Sequence, residues 1–173
     1  HLDDDQSLLH QDYYTYKIKN GRVYTDYIEN VSIISEKNLI GEVSYQQVAG
    51  ELKDSSYNVV LEKGTPVVKK KFKGRVLTIV QGASGNTYGH WLLEMLPKIK
   101  ICSEHYAIKD IDYFYTPNLT TFQKETLSVL NIDPSKIINS KKYRHIEADE
   151  LLAVVHPSYH KGFILEEFKY QPR

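Results

Sequence analysis

Two textures in the sequence predict an α/β fold in which an antiparallel β meander precedes a parallel sheet. Residues 1–74 carry short runs rich in Tyr, Val and Ile between turn residues, the pattern of strands joined by hairpins. From 75 to 173 short apolar runs alternate with stretches of helical periodicity, and a β-α-β-α-β succession defaults to parallel strands with right-handed crossovers. Size agrees: 173 residues, 41% hydrophobic and 25% charged, suffice for one domain with its own core.

In the first region the residues predict a hairpin of Tyr14–Lys19 and Arg22–Ile28, because Asn20-Gly21 favours the two positive φ angles of a type I′ turn. Val31–Ser35 and Leu39–Tyr45 read as further strands, and the polar stretch Gln46–Tyr57 as a loop. Val59–Glu62 and Val67–Phe72 read as a second hairpin around Lys63-Gly64-Thr65-Pro66, with Lys69–Lys71 as a solvated, blunted edge. Arg75–Val80 is a compact apolar strand, followed by the small-residue loop Gln81–Asn86. A helix over Tyr88–Glu104 is predicted by Leu92, Met95, Leu96, Ile99 and Cys102 at helical spacing. Ile111–Thr116 is then a strand and Leu119–Leu130 a helix closed by Asn131 and Pro134, and Lys136–Ile138 and Leu151–Val155 are two more strands.

Charge and composition exclude several classes. Lys+Arg and Asp+Glu number 22 each, so the balance offers no electrostatic reason for a nucleic-acid or acidic-membrane partner. A single cysteine, Cys102, excludes an internal disulfide framework and a thiolate metal cluster. No apolar run reaches the ~20 residues of a membrane helix. His145, His156 and His160 invite a metal-site reading, but Pro157 breaks the helix that would present His156 and His160 together, and no metal is expected. Asn30 and Asn118 open Asn-x-Ser/Thr triplets, which accept glycans only in a secretory pathway.

The segment Gly85–Lys98 carries the chemistry. It begins where a strand gives way to a helix, the edge at which parallel sheets bind ligands. Asn86 or Thr87 can cap the helix. His90 falls in the first turn and Glu94 four residues later, so the two share a face distinct from the apolar stripe, and a carboxylate-oriented imidazole is a general base. The bland alternative is a packed, capped helix start in which His90 sits beside Trp91 without chemistry. Pro97 is awkward inside a helix and marks a bend or an end. Gly82-x-x-Gly85 lacks the spacing of a dinucleotide or phosphate-loop motif, so neither NAD nor ATP is predicted.

Asn86-x-Tyr88-x-His90-Trp91-Leu92-Leu93-Glu94-x-Leu96-Pro97-Lys98 resembles the Asn-Tyr-x-His-Trp-Leu-x-Glu-x-Leu-Pro-Arg signature of glycosyltransferase family 61. Phe122-Gln123, Leu127–Ile132 and Lys136-Ile137-Ile138 resemble the helix, turn and strand that follow it there, and the likeness runs over about residues 22–156. Lys98 replaces the usual Arg, Thr87-Tyr88-Gly89 alters the aromatic spacing, and Asn131 stands where Gly is common. The resemblance implies a Rossmann-like half of a GT-B glycosyltransferase, the acceptor side, with the C-terminal donor half absent from this chain. It implies inverting transfer from a nucleotide sugar to a glycan acceptor without a bound metal or cofactor, in capsular or other polysaccharide biosynthesis.

On that resemblance His90 is the base and Glu94 its orienting partner, while Gly85, Asn86, Tyr88, Trp91 and Lys98 shape the substrate site; Trp91 either offers a sugar an aromatic face or simply packs. The expected partners are the glycan acceptor, the nucleotide sugar, the donor half and, through an exposed apolar face, a second copy of the chain. The isolated chain is expected to be inactive, because a GT-B cleft draws groups from both halves. The expected location is the cytoplasm, at a membrane in one variant, or the Golgi lumen in a eukaryotic relative. The rival class is a non-catalytic α/β binding or interaction module that uses the tyrosine-rich meander as its contact surface.

Overall fold

The structure, a computed structural model, describes residues 13–26, 29–81 and 87–157. In chain order the strands are β1 (Thr15–Lys19), β2 (Arg22–Thr25), β3 (Asn30–Ser35), β4 (Asn38–Leu39), β5 (Tyr45–Val48), β6 (Glu51–Lys53), β7 (Lys70–Thr78), β8 (Tyr113–Thr116), β9 (Ile137–Asn139) and β10 (His145–Val154). They form one mixed sheet in the order β6-β5-β3-β2-β10-β7-β8-β9, with β1 also on β10 and β4 on β3. Pairing is parallel from β10 through β7 and β8 to β9, and antiparallel everywhere else. An antiparallel part therefore precedes a parallel part, as the two textures imply. The change of texture near residue 75 falls inside β7, and β10 belongs to both parts.

The Asn20-Gly21 hairpin is corrected. β1 and β2 do not pair with each other; both run antiparallel to β10, β1 against Glu150–Val154 and β2 against His145–Glu147. Asn20 does take positive φ (50°), but the pair makes a kink in a chain that keeps its direction. The Asn20 N–H donates to the Asp149 carbonyl (2.9 Å) and the Gly21 carbonyl accepts from the Ala148 N–H (3.0 Å). The two-residue hairpin lies instead in the stretch read as a loop: Val48 pairs with Glu51 across Ala49-Gly50, whose φ angles are 51° and 84°. Val59–Glu62, read as a strand, is replaced by the short helix α1 (Val60–Lys63). The two strands expected at Val67–Phe72 and Arg75–Val80 are one strand, β7.

That strand bends at Gly74 (φ 90°), where a Cβ would lie 2.2 Å from Asp112 Oδ2. Asp112 Oδ2 accepts from the Arg75 N–H (2.7 Å) and Asp149 Oδ2 from the Gly74 N–H (2.8 Å). The β7–β10 register slips at the same level, between Ala148 and Glu150. Asn20-Gly21, Asp149 and Gly74 thus form a crease across three neighbouring strands.

Alternation along β7 and β10 gives each face its own core. Leu77, Ile79, Leu152 and Val154 pack with Trp91, Met95, Ile99 and Leu127 of the helices, whereas Val76, Leu151 and Ala153 pack with Val23, Ile33 and Tyr45 of the antiparallel strands. The helical layer comprises α2 (Tyr88–His90), a π-turn (Trp91–Met95), α3 (Leu96–Ser103) and α4 (Thr121–Val129), close to the spans expected. Asn131, just past α4, takes the left-handed conformation (φ 57°) that ends a helix. Among the described residues no helix is long and apolar enough to cross a membrane.

The crease makes a prediction. Gly74→Ala meets both a backbone penalty and the Asp112 carboxylate, and should lower the unfolding free energy by about 3 kcal/mol. Gly50→Ala, at similar φ with nothing within 4 Å of its Cβ, should cost about 1 kcal/mol. Urea titration of the two variants checks the difference.

Candidate functional site

The strand order 9-8-7-10 places β7 at a switch point. The chain leaves β7 through the 88–103 helical segment to β8 on one side, and returns last to β10 on the other. Crevices of open α/β sheets form at the carboxyl ends of the strands where the order reverses in this way. Gln81 follows β7 and His156 follows β10 at matching positions of the parallel register, which pairs Thr78 with Ala153. By the alternation of the strands both side chains point to the helical face, where the first helical segment passes over them.

A single carboxylate oxygen collects these residues. Gln81 Nε2 donates to Glu94 Oε2 (2.6 Å), His90 Nδ1 lies 2.8 Å from the same oxygen, and His156 Nε2 lies 3.4 Å from it. Glu94, Gln81 and His156 are 8%, 1% and 2% exposed, whereas the His90 side chain keeps 44% of its surface. Burial alone would raise the Glu94 carboxyl, but hydrogen bonding and charge from His156 and then His90 outweigh it and hold the group below its ordinary value. Burial lowers the His156 imidazole, opposed by Glu94 and assisted by the Lys98 charge. The dry end of the cluster therefore holds the Glu94 carboxylate against the His156 imidazole, and its wet end is His90.

With Glu94 ionised, the proton between it and His90 belongs on Nδ1, so the lone pair sits on Nε2. That is the arrangement of a general base whose ring is oriented by a buried carboxylate. His156 carries a second constraint: its backbone N–H donates to the Tyr45 hydroxyl (3.2 Å), and its ring stands edge-on to Tyr45 at 5.4 Å. The antiparallel part of the sheet thereby fixes one wall of the site.

The local sequence explains the helix. Pro97 has no N–H and crowds the carbonyl four residues back in a regular helix. The wide turn absorbs this conflict, since the Leu96 N–H reaches the Trp91 carbonyl five residues back and α3 restarts with proline in its first turn. Turns of this kind recur at functional sites. Trp91 Nε1 donates to Thr126 Oγ1 of α4 (2.9 Å), which locks the two helical segments together.

The remaining predicted residues fall into three groups. Gly85 and Asn86 lie outside the described residues, as do Gly82 and His160. Tyr88, two residues before His90, is 65% exposed and tilted against Phe122 at 5.3 Å. Trp91 is fully buried and takes the packing alternative, and Lys98 is 3% exposed. Neither side chain is open to solvent, so nothing in the structure supports a substrate contact at Lys98. Lys98 instead sits under the cluster, where burial drives its ammonium from 10.5 down to about 7 against the pull of Glu94. Gln81 and His156 were missed as site residues. Their signal was positional: each directly follows an apolar strand of the parallel part. His145 and His156, weighed together as metal ligands, stand at opposite ends of β10.

Comparison with protein-family models, with curated proteins and with solved structures finds no match.

Lys98 sets a pH dependence. Its folded value lies below its unfolded one, so the unfolded chain binds more protons between about pH 7 and 10.5, and stability gained from this group rises with pH across that window. Below it the full cost of a buried ammonium applies, on the order of a few kcal/mol. Lys98→Met should therefore stabilise the protein at pH 6, with the advantage fading towards pH 10. Urea unfolding of both proteins along the pH series measures it.

Proposed function

We propose that this chain is the acceptor-side half of an inverting glycosyltransferase that transfers a sugar from a nucleotide-sugar donor to a glycan acceptor in polysaccharide biosynthesis. The observation that carries the reading is His90: a half-exposed imidazole at the switch-point edge of a parallel sheet, bonded through Nδ1 to a carboxylate that is itself dry and held from two strands. The order 9-8-7-10 supports a Rossmann-like half as its scaffold.

In this mechanism the acceptor hydroxyl lies against His90 Nε2. As its oxygen attacks the anomeric carbon, the O–H proton passes to Nε2 and the new C–O bond forms. The bond from that carbon to the nucleoside diphosphate breaks, and the leaving group takes its electron pair. Glu94 stabilises the imidazolium without taking its proton. Tyr88 lines the acceptor side. The donor half supplies the nucleotide site, so neither half completes the reaction alone.

A second reading, an interaction module, draws on an apolar groove along the outer side of the helices, lined by Leu92, Leu96, Pro97, Val129 and Leu130, with Val129 80% exposed. One experiment separates the two. The full gene product is assayed with a panel of nucleotide sugars and glycan acceptors, alongside His90→Ala. The transferase reading expects turnover that falls by at least about 100-fold in the variant with an unchanged circular dichroism spectrum. Undiminished turnover removes the base assignment, and absence of turnover and of donor binding across the panel favours the module.

A further inference from the structure

We propose that the end of the sheet opposite the candidate site is a docking surface for an anionic lipid membrane. The chain has no net charge, but its charges are segregated. At the amino ends of β7 and β10 a groove of about 490 Å³ is lined by Val68, Lys69, Lys70, Lys142, Tyr143 and Arg144 among others, with no carboxylate in its wall. Glu147 beside it takes up Lys69 (2.6 Å) and Lys71 (3.7 Å). Lys70, Lys142 and Arg144 are exposed and make no ion pair among the described residues. Their neighbours Val67 and Val68 are 96% and 84% exposed.

The valines decide the kind of partner. Lysines and arginine at this density attract any polyanion, whether lipid headgroups, an acidic polymer or nucleic acid. Two adjacent, fully exposed apolar side chains add nothing on a hydrated polymer. At a bilayer they reach the acyl boundary while the cations stay among the headgroups. The solvated edge read from Lys69–Lys71 alone lacks Lys142 and Arg144, which the fold brings alongside from the turn before β10. The surface stands at the amino ends of the parallel strands and the His90 cluster beyond their carboxyl ends, roughly 25 Å apart along β7. A membrane held there leaves the candidate site open, and the inference stands whether or not the chain is a transferase.

The test is co-sedimentation of the 173-residue chain with phosphatidylcholine vesicles, with and without phosphatidylglycerol, and separately its retention on heparin. We expect binding to the anionic vesicles alone, weakened by salt. Lys70→Glu with Lys142→Glu should lower the partition at least about tenfold, and Val67→Ser with Val68→Ser should lower it severalfold while leaving heparin retention unchanged. Circular dichroism confirms that these surface variants fold. Equal binding to neutral vesicles, or no vesicle binding, overturns the proposal. Heparin retention with a vesicle partition indifferent to the valines overturns it in favour of an acidic polymer.

Discussion

Glu94 is a carboxylate that the fold removes from water and then supplies with donors, and the candidate site depends on how that is done. An ionised carboxylate in a dry setting is tolerated only with hydrogen-bonded partners. Here Gln81 and His156 come from the ends of two neighbouring parallel strands, and His90 from one turn earlier on the same helical segment. Because three segments meet on one oxygen, an error in the β7–β10 register would leave the charge unanswered. Chemistry and fold are thus held by the same contacts, and His90 is the member that also faces solvent.

β10 makes that register dependable. It is the longest strand and lies between the parallel and antiparallel parts, so both regions of the chain are completed by one of the last segments described. The crease at Asn20-Gly21, Asp149 and Gly74 lets the long strands bend without giving up their pairing, with aspartate side chains taking the N–H groups that the bend frees. Tyr45 carries the antiparallel part to the site by holding the His156 backbone. The meander is therefore a structural wall of the site as well as an appended layer.

What was legible in the sequence followed from periodicity. The 88–103 helical segment, α4, β8 and β9 announce themselves by local apolar spacing and by helix-ending residues such as Asn131, and His90 with Glu94 by their i, i+4 relation. What was hidden depended on partners far along the chain. Asn20-Gly21 carries the strongest short hairpin signal, but β10 pairs with the residues on both sides of it and turns a hairpin into a kink. Ala49-Gly50 carries a weak signal and makes the hairpin, because its strands pair with each other. Lys98 is placed in the substrate site by the resemblance, and tertiary packing buries it. Gln81 and His156 lie 75 residues apart, as do the register partners Thr78 and Ala153, and only the parallel pairing reveals that they are neighbours.

The central claim is that a buried, ionised Glu94 fixes the His90 ring with its proton on Nδ1 and its lone pair on Nε2. A long-range proton–nitrogen correlation spectrum of the histidine rings above neutral pH, with His90 assigned through a His90→Gln variant, tests it most directly. The account predicts an Nδ1-protonated His90 that reverts to the mixed tautomers of a free imidazole in Glu94→Gln. An Nε2-protonated or mixed His90 in the unaltered protein, insensitive to Glu94→Gln, would contradict it.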